Sequence, residues 1–110
     1  MKQTKLIFHD EDVKMKAFLP GVKVRFVHSA HMTLAEWRFS AGAVLPEHNH
    51  ANEQITKIIN GQFELTVDNE LIRLKEGTSV IITPGAIHSG RAVTDCHIID
   101  VFHPVREDYR

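Results

Sequence analysis

His48 and His50 stand two residues apart in PEHNHANEQ (46–54), with Glu53 and Gln54 just behind them. Histidine is the commonest metal ligand and the usual acid or base near neutral pH. On an extended chain residues i and i+2 project from one face, about 6–7 Å apart, so both imidazoles can converge on one cation. A third ligand from this stretch would be Glu53 or Gln54, and the choice fixes the charge the cation sees. Even numbering puts Gln54 on the histidine face and Glu53 on the opposite one. A turn at Ala51-Asn52 can reset that phase, so both stay open on spacing alone. The other histidines, His9, His28, His31, His97 and His103, have no partner at ligand spacing and read as surface or ordinary polar packing. His88 lies downstream in GTSVIITPGAIH (77–88).

The elements that must carry these residues read as strands. VKVRFVHS (22–29) alternates, and MTLAEWRFS (32–40) sets Ala35, Trp37 and Phe39 against Leu34, Glu36 and Arg38. QITKIIN (54–60) and QFELTV (62–67) meet at Gly61, and ELIRL follows the pair Asp68-Asn69. Those two residues tolerate positive φ, which signals a tight hairpin. SVIIT (79–83) and CHIIDVF (96–102) complete the set. Short strands with turns every 8–12 residues predict an all-β sandwich or barrel. DEDVKMKAFL near the start has room for a helical turn, and no amphipathic helix is evident. At 110 residues the chain is expected to form one domain, 1–110.

Composition narrows the function classes. Thirteen Lys and Arg against fourteen Asp and Glu give a net charge of −1, with no basic tract to suggest nucleic acid or an anionic membrane. MKQTKLIFHD lacks the apolar region of a secretory leader, and no stretch is long and apolar enough to span a bilayer. The lone Cys96 permits no internal disulfide and reads as a small buried hydrophobe. A cytoplasmic protein is expected.

The wider spacing carries a resemblance. Gly42 to Gly61 reads G-x5-H-x-H-x3-Q-x6-G, and Gly77 to His88 places a histidine three residues after a Thr-Pro-Gly turn. Together these resemble the two signature motifs of the cupins, small double-stranded β-helix (jelly-roll) barrels, over roughly residues 33–102. The resemblance implies that His48, His50, Gln54 and His88 converge on a divalent metal. Three imidazoles and an amide oxygen would form a neutral set suited to Ni, Fe, Zn, Mn or Co, favouring Lewis-acid chemistry. The chain departs from the second motif at Thr83, where proline is usual, and at Ala92, where asparagine is common.

Fold does not fix function. The C-terminal run DVFHPVREDY (100–109) is more informative. Ile98, Asp100 and Phe102 share a strand face. If it is the inner one, an acid and an aromatic project towards the metal. Arg106, just past Pro104, is placed to fold over the mouth and to grip a carboxylate bidentately. Taken alone, each of these residues would be ordinary packing or surface. The tail and NEQITKIINGQFEL are similar to the KdgF group of pectin-degradation cupins. That likeness implies conversion of 4,5-unsaturated uronates to linear keto acids, with Asp100 moving a proton, Phe102 packing on the sugar ring and Arg106 holding its carboxylate. It also accounts for glutamine at position 54. Asn52 stands where members of the group often carry another histidine. Two alternatives are a metal-dependent dioxygenase and a non-catalytic sugar-acid sensor. The expected partners are a small acidic sugar and a second copy of the chain in a homodimer.

Overall fold

The computed structural model describes residues 6–110. The N-terminal stretch read as lacking a leader falls partly on residues 1–5, outside the described residues. Among the described residues, ten strands form two antiparallel sheets. They are β1 (Lys16–Leu19), β2 (Val22–His28), β3 (Thr33–Phe39), β4 (Val44–His48), β5 (Glu53–Asn60), β6 (Phe63–Val67), β7 (Glu70–Leu74), β8 (Ser79–Ile82), β9 (His88–Ala92) and β10 (Cys96–His103). The larger sheet runs β1-β2-β3-β10-β5-β8 and the smaller β4-β9-β6-β7. This is the all-β jelly-roll barrel expected from the strand pattern and the resemblance.

Alternation decides the faces. Along β10, Cys96, Ile98, Asp100 and Phe102 are buried while their neighbours are partly open. Along β3, Thr33, Ala35, Trp37 and Phe39 point inward. They meet Phe63 and Leu65 of the smaller sheet in one apolar core. Each such side chain, fully removed from water, stabilises the fold by about 1.5–3 kcal/mol. Asp68 and Asn69 take φ of 47° and 68°, so the β6–β7 hairpin turns as its two residues predict. Cys96 is buried and its thiol is pushed up by burial, as a structural cysteine should be.

Three strands were not evident in the sequence pattern. DEDVKMKAFL holds a 3-10 turn only at Asp10–Asp12, and its end is β1. β4 contains Pro46, which cannot donate to a ladder. It survives because β4 is an edge strand whose register with β9 slips between Leu45 and His48. β9 reads HSGRA, poor in strand formers. Gly90 is there because the Phe63 ring lies against it, where any Cβ would collide. Gly61 is similarly confined: its φ is 97°, and a side chain would strike the Asp95 carbonyl.

The outer face of the larger sheet carries two ordered features. Arg25 Nε donates to Glu36 at 2.6 Å, and His97 Nε2 meets the other carboxylate oxygen at 2.6 Å, tying β2, β3 and β10 together. Beside this lies an apolar row in strict register: Val27, Leu34, Val101, Ile55 and Ile81 pair in turn across β2, β3, β10, β5 and β8.

Candidate metal centre and cavity

β4 delivers His48 at its last residue and β9 delivers His88 at its first. The two are direct cross-strand partners, with ring centres 4.1 Å apart. His50 is not on a strand. It sits in the bend before β5, and the bend, rather than the i, i+2 geometry of a continuous strand, swings it to 5.0 Å from His88 and 5.8 Å from His48. The ligating nitrogens of all three lie within 4.8 Å of one another, so the group can hold a metal ion.

The tautomers are fixed by the backbone. His48 Nδ1 faces Pro46 O at 2.8 Å, His50 Nδ1 faces Asn52 O at 3.1 Å, and His88 Nδ1 faces Ala86 O at 2.9 Å. A carbonyl only accepts, so each Nδ1 carries the hydrogen and each Nε2 presents a lone pair. Burial pushes His88 down to about 4, with the neighbouring histidines adding to the effect, so it is neutral at pH 7. His50 is lowered too, by burial first and then by the Arg106 charge. His88 Nε2 is buried with no partner, a lone pair that a cation would satisfy.

Gln54 is buried on the inner face of β5 while Glu53 is exposed, the facing that strand parity expected. The amide's rotation follows from a chain of bonds. Thr56 Oγ1 donates to Asp100 Oδ1 at 2.6 Å, and Gln54 Nε2 donates to Thr56 Oγ1 at 2.8 Å. With its nitrogen committed there, Gln54 turns its oxygen to His50 Nε2 at 2.9 Å. Two acceptors then face each other. Neutral His50 has already given its one N–H to Asn52 O, so only a cation or an added proton suits this pair. Two ligand atoms at right angles on a metal, with bonds of about 2.1 Å, stand about 3 Å apart. The residues present therefore fit a divalent ion.

Asp100 and Phe102 face the interior beside this group, cross-strand from Thr56 and Gln54. Burial pushes the Asp100 carboxyl up to about 6, against the opposing pull of the Thr56 hydrogen bond, of the nearby Gln54 and Trp37 N–H groups and of the Arg106 charge. The Phe102 ring meets His50 edge-on at 5.6 Å. Arg106 folds back over the mouth and is itself only 5% exposed. Its fork, however, is already filled. Nε and Nη2 hold Asp108 at 2.9 and 2.7 Å, so the free bidentate grip expected from the sequence is replaced by the single edge at Nη1. The guanidinium lies 3.9 Å from the Tyr109 ring centre and 4.8 Å from that of Phe102.

The tail is stitched down by polar contacts. Arg106 N donates to Thr33 Oγ1, and Thr33 bonds His28, whose other ring nitrogen reaches Tyr109 O. Asn52 Nδ2 donates to Pro104 O at 2.6 Å, so Asn52 fixes both His50 and the tail. Thr56, Asp108 and Tyr109 were not singled out from the sequence. Thr56 had a signal, the even parity it shares with Gln54 along β5. Asp108 and Tyr109 lie beyond any periodic element, and their signal was their place in the run DVFHPVREDY beside Arg106. His48, Gln54, His88, Asp100, Phe102 and Arg106 all line one cavity of about 480 Å³, mouth included.

Residues 35–102 match the family model for the cupin domain. The structure of KdgF from Halomonas sp. superposes with a TM-score of 0.90 at 26% identity, covering 97% of this chain and all of that one. An RmlC-like cupin from Shewanella frigidimarina superposes at 0.91 and 25% identity, covering both chains fully. An H2HPP isomerase of Bacillus subtilis is 27% identical over 96 residues, which are 84% of this chain and 41% of that protein. No described helix is long and apolar enough to cross a membrane.

Proposed function

The chain belongs to the cupin family, and from that premise we propose that it is a metal-dependent enzyme converting 4,5-unsaturated uronates to linear keto acids. The observation that carries this reading is the Gln54–Thr56–Asp100 chain. It joins a group built for a cation to a buried acid, inside a cavity whose mouth holds Arg106. The KdgF likeness supports the substrate class, and an isomerase among the relatives supports an isomerisation.

His48, His50, His88 and Gln54 Oε1 would hold a divalent ion, which would supply Lewis-acid polarisation of a sugar oxygen. Arg106 Nη1 holds the carboxylate at C5 of the sugar, with its guanidinium kept in place by Asp108 and Tyr109. Phe102 forms a wall against the ring and excludes water. The reaction moves protons and no net electrons. The anomeric hydroxyl loses its proton, the bond from C1 to the ring oxygen breaks, and C1 becomes a carbonyl. The freed enolate takes a proton at C4 and becomes the C5 ketone. Asp100, with its proton affinity raised to about 6, can accept the first proton and return one at C4.

We further propose that a second copy of the chain packs on the larger sheet. The Val27–Leu34–Val101–Ile55–Ile81 row is an apolar band that water would otherwise cover, and Ile81 is 66% exposed. Lys57 and Glu53 flank Ile55 on that face. Turning a second copy about the row sets Lys57 of one against Glu53 of the other. The band supports a homodimer through this face.

The test is direct. Metal-loaded protein should abolish the ultraviolet absorbance of the C4=C5 bond in unsaturated galacturonate, and chelated protein should leave it intact. Oxygen uptake accompanying that loss would contradict the isomerisation.

A further inference from the structure

Among the described residues, three buried side-chain polar atoms have no hydrogen-bond partner: His88 Nε2, Arg106 Nη1 and Trp37 Nε1. All three residues line the one cavity. Buried polar groups are normally satisfied, so three orphans around one cavity mark what its ligand must bring. The His88 lone pair calls for the cation. Arg106 Nη1 and the Trp37 indole carry hydrogens only, so each calls for an acceptor oxygen.

We infer that Trp37 is a ligand-binding residue whose indole N–H donates to an oxygen of the bound sugar acid, a hydroxyl or a carboxylate. The inference rests on the functional reading above for the class of ligand. Trp37 sits on the inner face of β3, paired across strands with Val24 and Ile98, one step along from Ala35, the partner of Asp100. Its position is not adjustable. The Phe18 ring meets it edge-on at 4.9 Å and the Phe26 ring at 5.9 Å, so the indole cannot turn to find a partner in the protein. The N–H lies near enough to Asp100 to favour its carboxylate, yet makes no hydrogen bond to it. A ligand oxygen seated between the cation site and Arg106 completes what the protein leaves open. Trp37 would thus select acceptor-rich anions over apolar molecules of the same size.

Trp37 is the only tryptophan in the chain, so its emission reports this contact without labelling. Galacturonate, a saturated uronate, serves as the probe on metal-loaded protein. Saturating the wild type should shift indole emission to longer wavelength. Trp37→Phe keeps an aromatic ring and removes the N–H. It should raise the calorimetric Kd for galacturonate about fivefold, the share of one hydrogen bond, with metal content unchanged. In turnover, KM should rise more than kcat falls. Wild-type protein that binds or turns over uronates with unchanged indole emission overturns the inference alone. So does a Trp37→Phe variant with unchanged Kd but a shifted pH optimum of kcat, which would mean Trp37 acts only through Asp100. Protein that neither binds nor converts any uronate overturns the functional reading on which the inference rests.

Discussion

Replacing Asp100 by Asn should stabilise the protein and silence it. The carboxyl is fully buried, and its pKa rises from the ordinary 3.8 to about 6, chiefly through burial. Below pH 3.8 the folded and unfolded chains both hold this proton. Between 3.8 and 6 the unfolded chain has lost it and the folded chain still binds it, so stability falls as pH rises. Above about 6 the loss is complete. A rise of about two units at 1.36 kcal/mol per unit makes the ionised carboxylate a cost of about 3 kcal/mol at pH 8. Asn fills the same space and its oxygen can still accept from Thr56, so the variant escapes that cost. Urea unfolding should be followed from pH 4 to pH 8 in the presence of a chelator, because a bound cation nearby would itself lower the carboxyl's pKa. The variant should gain on the wild type as pH rises through this window and show no gain at pH 4. Uronate turnover by the metal-loaded variant should fall by about 10²–10⁴-fold, the usual worth of a general acid–base group. Equal stability at pH 8, or undiminished turnover, would refute the assignment of a buried, proton-moving carboxyl.

Further outcomes follow from single contacts. Thr56→Val removes the hydroxyl that sets the Gln54 amide, and metal affinity measured by competition with a chelator should drop on the order of 10–100-fold. Asp108→Asn unfastens the Arg106 fork. Because Asp108 is 61% exposed the pair is worth little in stability, and KM should rise about two- to fivefold with kcat nearly unchanged. Ile55→Glu sets a like charge beside Glu53 in the middle of the apolar row, and light scattering should find monomer in place of dimer. Gly90→Ala forces a methyl into the Phe63 ring and should cost about 1–3 kcal/mol in thermal or urea unfolding.

What the sequence revealed and what it concealed have physical causes. Period-two alternation exposed β2, β3, β5, β6 and β10, because each has one face on the core and one on water. It put Asp100 and Phe102 on one face, and their burial shows that face to be the inner one. β4 and β9 escaped because Pro46 and Gly90 break the pattern. Pro46 is tolerated at an edge, and Gly90 makes room for Phe63. The reading of His48 and His50 reached the right group by an incomplete route, since His50 lies past the end of its strand and a bend aims it. The inward facing of Gln54 rather than Glu53 was legible from parity, and Thr56, two residues on along the same face, holds its amide. The tail was legible only in part. Its motif pointed to Arg106, but pairing with Asp108 depends on a local turn at Glu107–Tyr109 that no periodicity announces.

The central claim is that one divalent ion in the His48, His50, Gln54 and His88 group is needed for opening an unsaturated uronate. Elemental analysis and turnover of the same purified samples, prepared at graded metal occupancy, test it most directly. Up to one divalent ion per chain is expected, with a rate that rises in proportion to occupancy. Full turnover in metal-free protein, or fully loaded protein that converts no unsaturated uronate, would contradict it.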